Sequence, residues 1–237
     1  MIEYRLGNVD DRAGCSLLWQ QVFGDEATFV DSFFLSIPNL RSYIALADGQ
    51  VVSAFHLLPC SIVCKDKMLL RGWYLYAAAT AQPFRGKGLM GSLIQKAAGA
   101  ERRTGADFIC LYPAEDSLYS YYARLGFRPE LQAAFCRQNP FAFSADALSS
   151  GRACMELQEQ YYSGAYVRFD GAVYDFWLQV SEVPIGFPAQ DAQGLYKVPV
   201  ANAAGTRAVL RRDGMLLPLS DNTRQIDEPI FLGLTLA

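Results

Sequence analysis

Apolar residues along the chain follow two different spacings, and these spacings divide it into predicted strands and helices. Continuous or alternating apolar runs predict strands at residues 2–6, 41–47, 51–63, 73–79 and 106–112. Apolar residues three and four positions apart predict helices near Leu17, near Phe33, from Leu89 onward and over residues 117–125. With a further strand ending near Phe135, the predicted order is β, α, α, β, β, β, α, β, α, β.

A glycine-rich loop joins the strand at 73–79 to the helix that begins near Leu89, and residues 80–91 read T-A-Q-P-F-R-G-K-G-L-M-G. At a helix N-terminus the first backbone amides lack intrahelical partners, and the helix dipole favours negative charge. Glycines let the backbone approach a ligand closely, and Arg85 and Lys87 add positive charge. These features predict a phosphate-binding loop; the alternative is a glycine-rich turn without a ligand.

Two classes of phosphate ligand fit such a loop. Gly86, Gly88 and Gly91 spell the G-x-G-x-x-G pattern of dinucleotide sites, and Glu115 lies downstream for a ribose contact. A dinucleotide fingerprint follows its strand almost directly, whereas residues 81–85 intervene here, and no series of βαβ units follows. We therefore favour a different phosphate ligand.

The segment Arg85-Gly86-Lys87-Gly88-Leu89-Met90 resembles the loop with which GCN5-related N-acetyltransferases (GNAT) bind the pyrophosphate of acyl-CoA, whose pattern is Q/R-x-x-G-x-G/A. Arg85 and Gly88 match this pattern, and Met90 departs from it. A bulky residue at the last position also occurs in the branch that includes the "enhanced intracellular survival" aminoglycoside acetyltransferases. The departure therefore suggests a place near that branch.

A second segment supports the same resemblance. The stretch Tyr121-Tyr122-Ala123-Arg124-Leu125-Gly126-Phe127 is similar to the family's L-Y-x-x-L-G-F signature. The resemblance implies that Tyr122 protonates the departing CoA thiolate, which a phenol can do at neutral pH. The alternative for Tyr122 is a core aromatic on the apolar face of the predicted helix. Glu115 stands where relatives often carry an asparagine.

The resemblance covers residues 1–138 and implies an α/β (α+β) chain with the GNAT acyl-CoA-binding fold and a mixed, mostly antiparallel central sheet. It implies that backbone groups of Ala78, Ala79 and Thr80 hold the pantetheine arm, and that residues 85–90 hold the pyrophosphate. The implied activity is direct transfer of an acetyl group from acetyl-CoA to a primary amine of a small molecule or peptide.

The sequence leaves several candidates for the general base that deprotonates the amine. No carboxylate stands at residues 73–80, where some relatives keep a base. Water, His56, Glu115 or a group from the C-terminal part can take that role. The missing carboxylate is also consistent with a different class of function, namely a regulatory module that binds acyl-CoA without turnover.

Residues 139–237 carry none of these motifs and predict a smaller α+β extension. We expect a helix capped by Asp170, a hairpin turn at residues 212–215 and a last strand at 230–236. Residues 184–188 are expected to form an exposed loop. The extension is expected to help complete the acceptor site.

Composition narrows the possible partners. The chain is 51% hydrophobic and 19% charged, which suffices for a sizeable core. A net charge of −3 and a pI of about 5.2 give no basic footprint for nucleic acid or an anionic membrane. No apolar run approaches the roughly 20 residues of a membrane span, and the first residues lack a signal-peptide pattern, so a cytoplasmic location is expected. Six scattered cysteines and the single His56 predict no metal site.

Overall fold

The computed structural model describes residues 1–65, 67–141, 147, 149–180, 191 and 193–233. Two predicted features lie outside these residues: the exposed loop at 184–188, and the last strand where it passes residue 233. At the start of that predicted strand, Ile230 forms an isolated bridge to Leu131, and Phe231 forms another to Tyr166.

Strands and helices of the described residues follow the predicted order from the first strand to residue 136. The strands are β1 (Ile2–Leu6), β2 (Arg41–Ala47), β3 (Gln50–Cys64), β4 (Lys67–Thr80), β5 (Phe108–Leu111), β6 (Arg128–Cys136), β7 (Tyr166–Phe169), β8 (Tyr196–Val198) and β9 (Val209–Pro218). The α-helices are α1 (Arg12–Phe23), α2 (Ala27–Ser36), α3 (Leu89–Arg103), α4 (Asp116–Arg124), α5 (Gly151–Tyr161) and α6 (Gly171–Val180).

All nine strands belong to one sheet, in the order β1-β2-β3-β4-β5-β9-β6-β8, while β7 pairs with the far end of β3. Neighbouring strands are antiparallel except β4 and β5, which are parallel. The predicted mixed, mostly antiparallel sheet is therefore confirmed.

Helices cover both faces of this sheet. Side chains of α1, α2 and α6 pack in one apolar cluster, and those of α3 and α4 pack in another. β5 contributes to both clusters, because successive side chains of a strand point to opposite faces. Phe108 and Cys110 join the first cluster, and Ile109 and Leu111 join the second.

The C-terminal part adds three strands to this sheet. β7 extends the edge of β3, β8 pairs with β6, and β9 lies between β5 and β6. The family motifs end near residue 138, but strands from both sides of this residue belong to the same sheet. A division into two domains at this residue stays a prediction.

The predicted hairpin at residues 212–215 is wrong, because β9 runs unbroken through this segment. Asp213 is buried, and its carboxylate lies 2.5 Å from the Nζ atom of Lys197, so its charge has a partner inside the fold. Gly214 has φ +135°, and a Cβ atom there would lie 2.6 Å from the carbonyl oxygen of Leu111. Gly214 therefore allows two strands to approach each other closely, and the Asp-Gly pair forms no turn.

Near the end of α3, the carboxylate of Glu101 fixes the helix to β2. Glu101 has 0% exposure and accepts hydrogen bonds from Arg41 and, at 2.6 Å, from the Tyr43 hydroxyl. Breaking a buried ion pair leaves its other member without a partner, which is more costly than losing an exposed pair.

We expect Glu101→Gln to lower the free energy of unfolding by about 2 kcal/mol, because the neutral amide weakens both contacts. Denaturant unfolding monitored by circular dichroism measures this change. Glu156→Gln is the matched control, since Glu156 makes an exposed pair with Arg152 and its loss should leave stability nearly unchanged. Equal effects of the two variants would contradict this role for Glu101.

Candidate active site

A cavity opens where β4 and β5 part. The two strands pair only over residues 72–74 and 108–110; beyond these residues β4 continues to Thr80, while β5 ends at Leu111. The space between them has a volume of about 400 Å³ and is lined by residues of both strands and of α4. Ligand pockets commonly measure about 300–1,000 Å³, so this cavity is large enough for a small ligand.

β4 carries a bulge beside the cavity. In its pairing with β3, Ala77 and Ala78 together face the single residue Phe55. Ala77 has φ +49°, a left-handed conformation that residues with a side chain rarely adopt. A bulge takes backbone groups out of the strand ladder and bends the strand. Ala77 and Ala78 both line the cavity, so the bulge leaves backbone groups next to it.

The three residues predicted to hold a pantetheine arm follow one another along β4. Ala78 lines the cavity, whereas Ala79 and Thr80 lead away from it and pair with β3. On its other side, β4 has no partner strand beyond Tyr74 within the described part of the chain. This open edge leads from the cavity to the glycine loop, which is a path that an extended ligand can follow.

Two glycines bend the loop before α3 begins. Gly86 has φ +73° and Gly88 has φ +74°, both in the left-handed region that glycine adopts without strain. Gly88 is the N-cap residue of α3, and no side chain caps this helix end. The first amides of α3 are therefore available to an anion. No heavy atom lies within 4 Å of a Cβ atom built on either glycine, so the space beside them is open.

The two cations of the loop are exposed. Arg85 donates a hydrogen bond from its Nε atom to the carbonyl oxygen of Thr80 over 2.9 Å, which ties the loop to the end of β4. The Nζ atom of Lys87 lies 5.2 Å from the centre of the Phe84 ring. Both charges belong to the exposed loop that contains the two glycines, where they favour an anionic ligand.

Leu89 and Met90 direct their side chains into the protein. Leu89 packs in a small apolar cluster with Ala45 and Val52, and Met90 packs against the cluster formed by α3 and α4. Their backbone amides are the groups that can meet a ligand at the helix end. The bulky side chain of Met90 is accommodated by this packing, so its departure from the family pattern does not fill the loop.

α4 brings Tyr122 into the cavity wall. The helix ends before Gly126, which has φ +96°, and the amide of Phe127 donates a 3.2 Å hydrogen bond back to the carbonyl oxygen of Tyr122. The side chain is 7% exposed and lies edge-on to the rings of Tyr121 and Phe127. Burial raises the pKa of Tyr122 to about 12, so its hydroxyl keeps its proton at neutral pH. Tyr122 is thus a buried aromatic residue that lines the cavity and carries a protonated hydroxyl.

Neither His56 nor Glu115, the two side chains that the sequence offers as a base, is among the residues that line the cavity. His56 is 1% exposed and stacks on Trp19 with 5.3 Å between ring centres. Burial lowers its pKa to about 3, so it is neutral and a weak base. Glu115 lies exposed at the N-cap position of α4 and accepts a hydrogen bond from the Ser117 hydroxyl.

Another wall of the cavity comes from segments that the motifs did not identify. Its side chains belong to α1, the α1–α2 loop, α2, β4 and α6, and they are Trp19, Phe23, Asp25, Phe29, Tyr76 and Trp177. In the sequence these aromatic residues stand at helical or strand spacing, which also describes ordinary core positions. No local pattern distinguishes a cavity-lining aromatic residue from a core residue here, because the wall forms only when distant segments of the chain pack together.

Two further properties concern the described residues as a whole. They contain no group of three or more His, Cys, Asp or Glu side chains that could hold a metal ion. Among the helices they form, none has the length and apolar character needed to cross a membrane.

A family model described as an acetyltransferase (GNAT) domain matches residues 3–129, which is more than half of the chain. The chain belongs to the GNAT acetyltransferase family. The GNAT match runs from β1 into β6 and therefore includes both strands of the cavity, the glycine loop and Tyr122. The resemblance to this family is confirmed. No curated protein matches the chain.

The chain is also similar to several solved structures. A protein from Enterococcus faecalis described as a probable N-acyltransferase has a TM-score of 0.55 and 12% identity, over 92% of this chain and 73% of that chain. The N-acetyltransferase YhbS from Escherichia coli, in complex with CoA, has a TM-score of 0.45 and 21% identity, over 54% and 68%. A GNAT acetyltransferase from Brucella melitensis, in complex with acetyl-CoA, has a TM-score of 0.44 and 22% identity, over 54% and 83%.

Proposed function

We propose that this GNAT acetyltransferase transfers an acetyl group from acetyl-CoA directly to a primary amine of a small molecule or peptide. The observation that carries the proposal is a continuous path from the cavity between β4 and β5, along the open edge of β4, to the glycine loop at the start of α3. Acetyl-CoA carries its thioester, its extended pantetheine arm and its pyrophosphate in the same linear order.

Each part of acetyl-CoA then has its own set of groups. Backbone groups of Ala78, Ala79 and Thr80 hold the pantetheine arm beside the open edge of β4. The amides and cations of residues 85–90 hold the pyrophosphate, because a helix N-terminus and two positive side chains favour an anion. The thioester lies in the cavity, within reach of Tyr122.

The transfer is a single exchange at the thioester carbonyl carbon. The neutral amine nitrogen attacks this carbon, the new C–N bond forms, and the C–S bond breaks. The departing CoA thiolate takes the proton of the Tyr122 hydroxyl, the surplus proton of the amine leaves to water, and the Tyr122 phenolate regains a proton from water. The raised pKa of Tyr122 keeps the proton available until the sulfur becomes negative.

An Arg85→Ala variant is expected to bind acetyl-CoA about tenfold more weakly, since it removes one charged hydrogen-bond donor from the loop. Calorimetric titration with acetyl-CoA measures the change. Arg152→Ala removes an exposed arginine of α5 and serves as the control with unchanged affinity. Equal affinities for wild type and Arg85→Ala would remove Arg85 from the pyrophosphate site.

A regulatory module that binds acyl-CoA without turnover is the second candidate, and the absence of a carboxylate at residues 73–80 favours it. Release of the CoA thiol from acetyl-CoA, followed with a thiol reagent over a panel of primary amines, separates the two functions. Amine-dependent release at a rate well above the amine-free rate supports the enzyme. Tight binding of acetyl-CoA without release from any amine supports the module.

We also propose that the protein works in the cytoplasm and that it is related to the branch of the "enhanced intracellular survival" acetyltransferases, whose bulky residue at the end of the loop pattern corresponds to Met90. The extension at 139–237 helps to shape the acceptor site, which is supported by the position of Trp177 of α6 in the cavity wall.

A further inference from the structure

One wall of the cavity combines aromatic rings with a single carboxylate. The rings belong to α1, α2, β4 and α6, and they are Trp19, Phe23, Phe29, Tyr76 and Trp177. They form one connected group, because Trp177 lies 5.8 Å from Tyr76 and 6.1 Å from Phe29 between ring centres, and Trp19 lies 5.5 Å from Tyr76. Asp25, in the loop between α1 and α2, is the one charged side chain among the described residues that line the cavity.

The carboxylate of Asp25 is held in place by this wall. The indole nitrogen of Trp19 donates a 2.7 Å hydrogen bond to its Oδ2 atom. Trp19 itself is 2% exposed and is fixed by stacking on His56 and by close contact with Phe33. Asp25 is exposed at the cavity mouth, and no arginine or lysine of the described residues forms an ion pair with it.

This combination of groups selects strongly among amines. An ammonium ion is attracted both by a carboxylate and by the faces of aromatic rings. A carboxylate or phosphate on the acceptor would meet the like charge of Asp25, and no cation among the described cavity residues would compensate. A sugar body would bury several hydroxyl groups at once, which is costly. Besides Asp25, this wall offers them only the Tyr76 hydroxyl and the indole nitrogen of Trp177, because the Trp19 nitrogen is already bonded to Asp25.

We propose that the acceptor is a primary amine carried on an aromatic or other apolar body without an anionic group, and that Asp25 is the specificity-determining residue that binds its ammonium form. The inference rests on the proposed function and names its substrate class. The aromatic wall takes the apolar body, and Asp25 holds the ammonium at the mouth. The bound ammonium gives one proton to water, and the neutral amine then attacks the thioester as described above.

A panel of three amines tests this substrate class on the wild-type protein. Phenethylamine has the proposed features, phenylalanine adds only a carboxylate, and glucosamine replaces the apolar body by a polar one. Thiol release should give a kcat/KM for phenethylamine at least tenfold above that of either other amine. A value for phenylalanine or glucosamine equal to or above that for phenethylamine would overturn the inference.

A matched pair of variants tests Asp25 itself. Asp25→Asn removes the charge and keeps an oxygen that can accept the hydrogen bond of Trp19. It should raise the KM for phenethylamine about tenfold and change kcat little, since a hydrogen bond to a charged group is lost in binding. Glu26→Gln makes the same change in the next residue, which does not line the cavity, and should leave KM unchanged. Equal KM values in wild type and Asp25→Asn would overturn the role of Asp25.

Calorimetric titration of phenethylamine into the CoA-saturated protein distinguishes a failure of this inference from a failure of the proposed function. Binding that Asp25→Asn weakens, without turnover of any amine, supports the cation site and rejects the transferase. Turnover of other amines with no preference for phenethylamine supports the transferase and rejects the proposed substrate class. Absence of both binding and turnover rejects both.

Discussion

Gly88→Trp is expected to abolish acetyl-CoA binding, with an affinity loss of at least about a thousandfold, or on the order of 4 kcal/mol. The indole would fill the open space beside the loop, where no heavy atom lies within 4 Å of a Cβ atom on Gly88. Several charged hydrogen bonds to the pyrophosphate would be lost together, each contributing roughly 1.5–3 kcal/mol. Calorimetric titration with acetyl-CoA measures the loss.

Gly49→Trp is the matched control for this variant. Gly49 has φ +79°, close to the φ of +74° at Gly88, and it also has open space around a built Cβ atom. It lies between β2 and β3, outside the cavity and the loop. The two variants therefore place a side chain on backbone of nearly the same φ, and only Gly88→Trp should lose acetyl-CoA. Unchanged affinity in a folded Gly88→Trp protein, or tight binding of NAD at this loop, would contradict the assignment.

Tyr122→Phe is expected to lower kcat by about a hundredfold while leaving acetyl-CoA affinity nearly intact. The hydroxyl acts when the sulfur becomes negative, so its loss affects the chemical step, to which a general acid typically contributes about 10²–10⁴-fold. The ring is retained, so its edge-on contacts with Tyr121 and Phe127 remain. Steady-state thiol release gives kcat, and calorimetry gives the affinity.

Tyr121→Phe provides the internal control. Tyr121 packs between α4 and α3, and its hydroxyl oxygen lies 3.7 Å from a Cβ atom built on Gly91. It does not line the cavity, so removal of its hydroxyl should leave kcat nearly unchanged. Wild-type turnover in Tyr122→Phe would exclude Tyr122 as the acid. A loss confined to Tyr121→Phe would mean that the signature lies one residue out of register.

The sequence predicted the local backbone structure of two parts of the candidate site, the glycine loop and the helix that carries Tyr122. The glycine loop depends on Gly86 and Gly88 just before a helix, and the position of Tyr122 depends on a helix that ends shortly before Gly126; both patterns extend over a few residues. Left-handed glycines and helix ends leave signals of this kind, because their physical cause lies in adjacent residues.

The parts that depend on distant segments could not be predicted. Asp25 and Trp177 share a cavity wall although more than a hundred residues separate them in the chain, and neither carries a local motif. The Asp-Gly pair at Asp213 and Gly214 has the composition of a turn, and it lies inside β9 because Lys197 neutralises the aspartate and Leu111 approaches the glycine. Strand pairing and charge compensation of this kind are decided by tertiary contacts.

The position of β9 between β5 and β6 also imposes an order on folding during synthesis. The ribosome releases β5 about a hundred residues before it completes β9, so one edge of β5 lacks its final partner throughout this interval. An unpaired strand edge can pair with strands from other nascent chains, so the chain is prone to aggregation during this interval. Messenger RNAs truncated before the β9 codons should therefore yield insoluble chains and no partly active enzyme.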